Sequence, residues 1–267
     1  MKNMTLQTLK IAAFCLLLIG AGAACASKKV ALTPEVAGSD EQLYKLGEEQ
    51  IKKDPEKARI YLRQVIDSFP KSFYAQRAKL AIADSYFDKG DEASMILAAA
   101  EYRDFIHSYP FSPSASFAQY RVALTYWDKA LKAGRDQTKT EQALVEFKKV
   151  ITDYPLSDEA KLAQAKIKEC EERLAQHTFI IGQQYYRTKA YKAAVSRLTE
   201  ILTTYPSYSR MDEVYFFLAD SYFRWGKSQE AVPFFTKLVS DFPKSKYARD
   251  ASRRLKEIER MEPKAKK

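Results

Sequence analysis

The chain offers few residues for chemistry. Its three cysteines are Cys15, Cys25 and Cys170, and its two histidines are His107 and His177. No CxxC, HxxxH or HExxH spacing joins them, so neither a disulfide framework nor a metal centre is expected. Cys170 stands alone in a helix-like run and reads as a small apolar packing residue, with a reactive thiol as the alternative. The sequence has no GxSxG, Walker or HExxH motif, and its Asp and Glu residues follow helical charge patterns that suit a solvated surface. Neither catalysis nor a cofactor is expected. Cys25 is the exception. It ends the small-residue run Gly20-Ala21-Gly22-Ala23-Ala24, which follows Lys2, Lys10 and an apolar stretch from Ile11 to Ile19. This is an export signal. The apolar stretch is shorter than the roughly 20 residues a membrane-crossing helix needs, which disfavours a retained transmembrane anchor.

With Ala26-Ser27-Lys28-Lys29 after it, the run ending in Cys25 resembles the lipobox of bacterial lipoproteins. The resemblance implies that Cys25 becomes the acylated first residue of the mature chain. The lipobox carries an aliphatic residue three positions before the cysteine, where this chain has Gly22. Cleavage by an ordinary signal peptidase at Ala21-Gly22-Ala23, leaving a soluble periplasmic protein, stays open as the alternative. Loss of residues 1–24 removes two lysines and no acids, which leaves 42 basic against 34 acidic residues, or +8. Arg253, Arg254, Lys256, Lys264, Lys266 and Lys267 make the C-terminus locally positive. Such a balance suits an anionic membrane surface or acidic patches on a partner, and nucleic acid is not expected of an exported chain without a recognition motif.

The elements that carry these residues are helices. The chain is 46% hydrophobic with only 8 glycines, a composition that supports a packed core and long helices. An aromatic residue followed by proline recurs at Phe69-Pro70, Tyr109-Pro110, Tyr154-Pro155, Tyr205-Pro206 and Phe242-Pro243. Twelve residues before each proline stands an alanine: Ala58, Ala98, Ala143, Ala194 and Ala231. Eight before it is a large residue, Leu62, Tyr102, Phe147, Leu198 or Phe235, and five and four before it are apolar pairs such as Val65-Ile66. These intervals put one apolar stripe on a helix that the proline then stops. Ser72, Ser112, Ser157 and Ser245 follow two residues later, placed to cap the next helix.

A partner helix repeats as well, in Ala83-Asp84-Ser85-Tyr86-Phe87, Ala123-Leu124-Thr125-Tyr126-Trp127 and Ala219-Asp220-Ser221-Tyr222-Phe223, with Gly182 and Tyr185 at the matching places of the fourth unit. This pattern resembles the tetratricopeptide repeat, TPR, and implies an all-α fold: an α-solenoid of about five helix pairs with a C-terminal capping helix. The expected organisation is a signal segment over 1–24, Cys25 and a tether to residue 38, a solenoid over 39–262, and a basic tail over 263–267. Units fall at about 39–70, 72–110, 114–155, 157–206 and 209–243, with a cap at 245–260. Units two and three carry insertions near Gly90 and Gly134-Arg135-Asp136, and unit one is degenerate.

Across nearly the whole mature chain the sequence resembles the BamD lipoproteins of the outer-membrane β-barrel assembly machine. The resemblance is densest in Arg135-Asp136-Gln137, Tyr154-Pro155-Leu156-Ser157, Glu172-Arg173-Leu174-Ala175, Tyr185-Tyr186, Tyr191-Lys192-Ala193-Ala194 and Val195-Ser196-Arg197. It implies a rod on the periplasmic face of the outer membrane, lipid-anchored through Cys25. Its C-terminal repeats would dock on a POTRA domain of the barrel-forming, BamA-type subunit, and its N-terminal repeats would engage unfolded outer-membrane β-barrel proteins, with accessory lipoproteins as further partners. Arg197 matches the arginine that faces the POTRA domain, and a guanidinium suits bidentate pairing with a carboxylate. Tyr74, Tyr86 and Phe87 are the candidate substrate contacts, with core packing as their alternative role. The sequence departs from the family at Thr178, where glutamate is common, and at Ser116-Phe117. The competing expectation is another periplasmic TPR protein that coordinates envelope complexes, as in the Tol-Pal system. Those carry a coiled coil before the repeats, whereas only Ala26 to Gly38 precede the first helix here, a reach of at most roughly 40 Å.

Overall fold

The computed structural model describes residues 38–261, so the signal segment, Cys25, most of the tether and the basic tail lie outside the described residues. Eleven helices make up the regular structure of this stretch. They are α1 (Asp40–Gln50), α2 (Pro55–Ser68), α3 (Phe73–Lys89), α4 (Glu92–Ser108), α5 (Ala115–Trp127) and α6 (Thr138–Asp153). The long α7 (Asp158–Arg187) follows, then α8 (Tyr191–Thr204), α9 (Met211–Arg224), α10 (Ser228–Asp241) and α11 (Ala248–Met261). They pair in order, odd-numbered A helix with even-numbered B helix, into five units closed by α11. No described helix is long and apolar enough to cross a membrane.

Each B helix ends in one way. The residue before the proline, Phe69, Tyr109, Tyr154, Tyr205 or Phe242, takes φ between −136° and −127° and ψ between 54° and 59°. The proline ring excludes α geometry there, so the helix stops. Pro233 is different: it lies inside α10, which continues through it. The serines after the stops divide into two kinds. Ser72 and Ser157 cap α3 and α7, accepting from the Tyr74 and Ala160 backbone N–H groups at 3.0 and 3.1 Å. Ser112 and Ser245 do not cap. Helices α5 and α11 start three residues beyond them, and their hydroxyls accept from Ser114 N–H and Tyr247 N–H to close the preceding turn.

The stripe read along the B helices is the core. Ala58, Ala98, Ala143, Ala194 and Ala231 are fully buried, as are Leu62, Tyr102, Phe147, Leu198 and Phe235 four residues on, and Val65, Phe105, Val150, Ile201 and Leu238 three after those. The small residue of the A helix sits where the pair makes its closest approach. A Cβ built on Gly47 would stand 2.7 Å from Leu62 Cδ2, and one on Gly182 would stand 2.9 Å from Leu198 Cδ2. The degenerate first unit thus closes on the same glycine-to-leucine contact as the regular fourth.

Units join chiefly where the B helix of one packs on the A helix of the next, and A helices add a smaller contact at three junctions. α1 touches α3, α5 touches α7 and α7 touches α9, while the B helices make no comparable contact with one another. At four junctions an arginine of the following unit or cap lies over the aromatic ring near the end of the preceding A helix. The pairs are Arg121 over Phe87 at 3.8 Å, Arg173 over Trp127 at 4.0 Å, Arg224 over Tyr186 at 5.5 Å and Arg254 over Phe223 at 4.6 Å. Cation–π attraction and the burial of the arginine stem both favour this seat. Two of these arginines also reach a carboxylate set three residues before the ring: Arg121 pairs with Asp84 at 3.0 Å and Arg254 with the buried Asp220 at 3.1 Å.

Helix α7 belongs to two cores. Its Ala163, Ile167 and Cys170 pack with Ala143, Phe147 and Val150 of unit three. Its Ala175 and Phe179 pack with Leu198, Val214 and Leu218 of units four and five.

Candidate functional site

Arg197 projects from α8, one residue before the leucine that meets Gly182. Its side chain is 49% exposed and, among the described residues, pairs with Glu200, one turn on, at 3.0 Å. An exposed i,i+3 pair of this kind holds its partner by less than about 1 kcal/mol, so a carboxylate from outside can take the guanidinium over at little cost.

Helix α7 and the inserted turn before α6 meet beside unit three. The inserted turn before α6 is stitched by Gln137, whose amide donates to the carbonyl oxygens of Lys132, Arg135 and Asp136 at 3.0 to 3.1 Å. Thr140 Oγ1 donates back to its Oε1 at 2.8 Å, and Asp136 accepts from the Thr138 N–H at 3.1 Å. From the other side, α7 supplies Arg173, stacked on Trp127, and His177, whose Nδ1 lies 2.7 Å from Ala133 O. Gln137 therefore ties the turn from within, while Arg173 and His177 hold residues 127–133 that lead into it. His107 and His177 are on different helices, and among the described residues no group of three or more His, Cys, Asp or Glu is placed to hold a metal.

Tyr74, Tyr86 and Phe87 do not form one patch. All three lie on α3 and are half-buried, but Tyr74 is at its start and the other two near its end, about 18 Å along the axis. The Tyr74 ring packs 5.4 Å from Tyr44. Tyr86 lies under the Arg59 guanidinium at 4.2 Å, and Phe87 under that of Arg121. Two of the three ring faces are thus occupied by cations of the same chain.

A groove between units two and three escaped the sequence reading. Met95, Ile96, Arg103, Tyr126, Lys129 and Lys139 line it, together with Glu92, Ala99 and Thr125. Ile96 is 62% exposed. Lys139 and Arg103 approach the Tyr126 ring at 5.5 and 5.7 Å, and Lys129 Nζ donates to Gly90 O. Below it, Glu146 takes hydrogen bonds from Arg103 at 2.9 Å, Gln119 at 2.8 Å and Lys149 at 3.2 Å. Burial pushes the Glu146 carboxyl up, but these three donors outweigh it and hold it below its ordinary value. Three cations around the exposed Ile96 side chain suit a peptide that brings apolar side chains and negative charge. The signal in the sequence was the pair of insertions, at Gly90 and near Gly134, which flank the groove. Gly90, at φ 71°, ends α3 in the left-handed conformation and turns the chain toward α4.

The chain matches the model of the family YfiO, outer membrane lipoprotein, over residues 36–232. It is 30% identical over 236 residues to the outer membrane protein assembly factor BamD of Caulobacter vibrioides, a match covering 88% of this chain and 76% of that protein. The assembly factor BamD of Rickettsia prowazekii is 28% identical, over 62% of this chain and 68% of its own length. That of Neisseria meningitidis serogroup A is 26% identical, over 78% and 81%.

Proposed function

We propose, from the fact that this chain belongs to the YfiO family of outer membrane lipoproteins, that it is a non-catalytic adaptor in the assembly of outer-membrane β-barrel proteins. In this reading Cys25 is acylated and holds the rod on the periplasmic face of the outer membrane. The C-terminal units dock on a POTRA domain of the barrel-forming subunit, and the N-terminal units receive unfolded barrel proteins. The observation that carries the docking assignment is Arg197, exposed on a regular helix pair with a single weak partner among the described residues. The cationic groove of Met95, Ile96, Arg103, Tyr126, Lys129 and Lys139 supports reception of an apolar segment ending in a carboxylate, in preference to the separated Tyr74, Tyr86 and Phe87.

Pull-down from detergent-solubilised envelopes tests the reading. The protein is expected to bring down a large outer-membrane barrel subunit, and Arg197→Glu to weaken that association at least tenfold, about 1.4 kcal/mol or more. Recovery of a Tol-associated complex with no barrel assembly subunit overturns it. Fatty-acid labelling tests the anchor separately: Cys25→Ser abolishes it, and unchanged labelling rejects acylation at this residue.

A further inference from the structure

The turns that enter α1, α3, α5 and α7, the A helices of units one to four, share one edge of the rod and are tied there in two pairs. Ser72, at the start of α3, donates to Asp40 at the start of α1, and Ser116, at the start of α5, donates to Glu159 at the start of α7 at 2.9 Å. The chain enters α1 at Ser39, on this same edge. Three large apolar side chains stand on it: Phe73 is 68% exposed, Phe111 97% and Leu156 99%. Phe111 and Leu156 each directly follow the stop proline. The equivalent residues of the other turns are Lys71, Ser207 and Lys244, so the turn itself does not require an apolar side chain there.

The edge is not continuous over the rod. The α9 entrance is tied to the middle of α7, with Ser209 N–H donating to Glu172 at 3.0 Å. That point lies 14 residues, about 21 Å, along α7 from its start. The polar turns that enter α9 and α11 are thereby set back from the apolar edge at the α1, α3, α5 and α7 entrances.

We propose that this apolar edge rests on the lipid surface, with Phe111 and Leu156 entering the interfacial layer of the bilayer and Phe73 beside them. The inference rests on the acyl anchor proposed above. From Cys25 to Gly38 the chain spans at most roughly 40 Å and joins the rod at this edge, so it is this edge that the anchor draws toward the membrane. Aromatic and aliphatic side chains on otherwise polar turns gain from transfer into the interface. Charge does not drive the contact, since Lys71 and Lys161 are matched along the edge by Asp40, Glu41, Asp158 and Glu159.

The test places a benzophenone amino acid at Phe111, Leu156 or Ser207 of the full acylated chain. The protein is reconstituted in vesicles of phosphatidylethanolamine and phosphatidylglycerol, irradiated and weighed by mass spectrometry. Phospholipid adducts are expected several-fold more often at 111 and 156 than at 207, at low and at high salt alike. Equal yields at all three positions overturn the proposal. So does an adduct at 111 and 156 with protein alone when envelopes replace vesicles, which would make the edge a protein interface. Where mass shows Cys25 unacylated, the anchor reading fails by itself. The edge is then tested by coupling the Cys25 thiol to a maleimide-bearing lipid, with the same outcomes deciding.

Discussion

Residue by residue, most side chains with chemical potential are engaged in holding the rod together. Cys170 is fully buried, and burial pushes its thiol up to about 12, so it is a packing residue and no thiolate at neutral pH. Glu146 is tied to three donors from two units. Its folded carboxyl lies below the ordinary 4.5, so its stabilisation is fully present above that value and is lost as the pH falls through the lower folded one. Glu146→Gln should therefore cost about 1.5–3 kcal/mol near neutral pH, where a charged acceptor is lost. Urea unfolding followed at neutral and acid pH checks this: the gap between variant and parent should narrow below pH 4.5, and a pH-independent gap would contradict the assignment. The packing role of Cys170 was legible in the sequence, and the Glu146 network was not. The glutamate and its partners Arg103 and Gln119 are 43 and 27 residues apart, and only the stacking of units two and three and the pairing of α5 with α6 bring them together.

At the scale of helices the sequence was far more informative. Alanine, large residue and apolar residue at fixed distances from a proline named the buried stripe of every B helix, because a 3.6-residue helix with a fixed end has its inward positions set. Less of the entrances was legible, because Pro113 and the turn at 243–247 move the α5 and α11 starts beyond the expected serine caps. The arginine seats over Phe87, Trp127, Tyr186 and Phe223 were also invisible, since insertions of different length leave ring and arginine without a constant interval. The closest helix contact gives a sharp expectation. Gly182→Ala should destabilise by about 1–2 kcal/mol, because overpacking against Leu198 outweighs the gain in helix propensity. Thermal unfolding of this variant, of Leu198→Val and of the double variant checks it: the two changes should compensate in part, and strict additivity would show that the contact is not the cause.

For the whole molecule the decisive element is α7, whose 30 residues span about 45 Å and serve unit three at one end and unit four at the other. Its length follows from the absence of any proline or glycine between Ser157 and Gly182, yet its double allegiance follows only from the positions of the two cores. Continuity of this helix is what couples them. Glu171→Pro, at a half-buried position between Cys170 of one core and Ala175 of the other, should cost about 3 kcal/mol or more. It should also split a single urea transition into two, read by circular dichroism and by the fluorescence of Trp127 and Trp225 on either side of the break. One unchanged transition would show that the cores are coupled elsewhere. The shared helix also sets an order of completion, because a chain is delivered from its N-terminus. Once Cys170 has emerged, the buried apolar cluster of unit three has all its members, and only the Arg173 and His177 contacts to its turn are still to come. The second half of α7 must then wait, Ala175 and Phe179 bare, until α8 and α9 arrive, so the interval between Phe179 and Leu218 is when the newborn protein most needs a chaperone's cover.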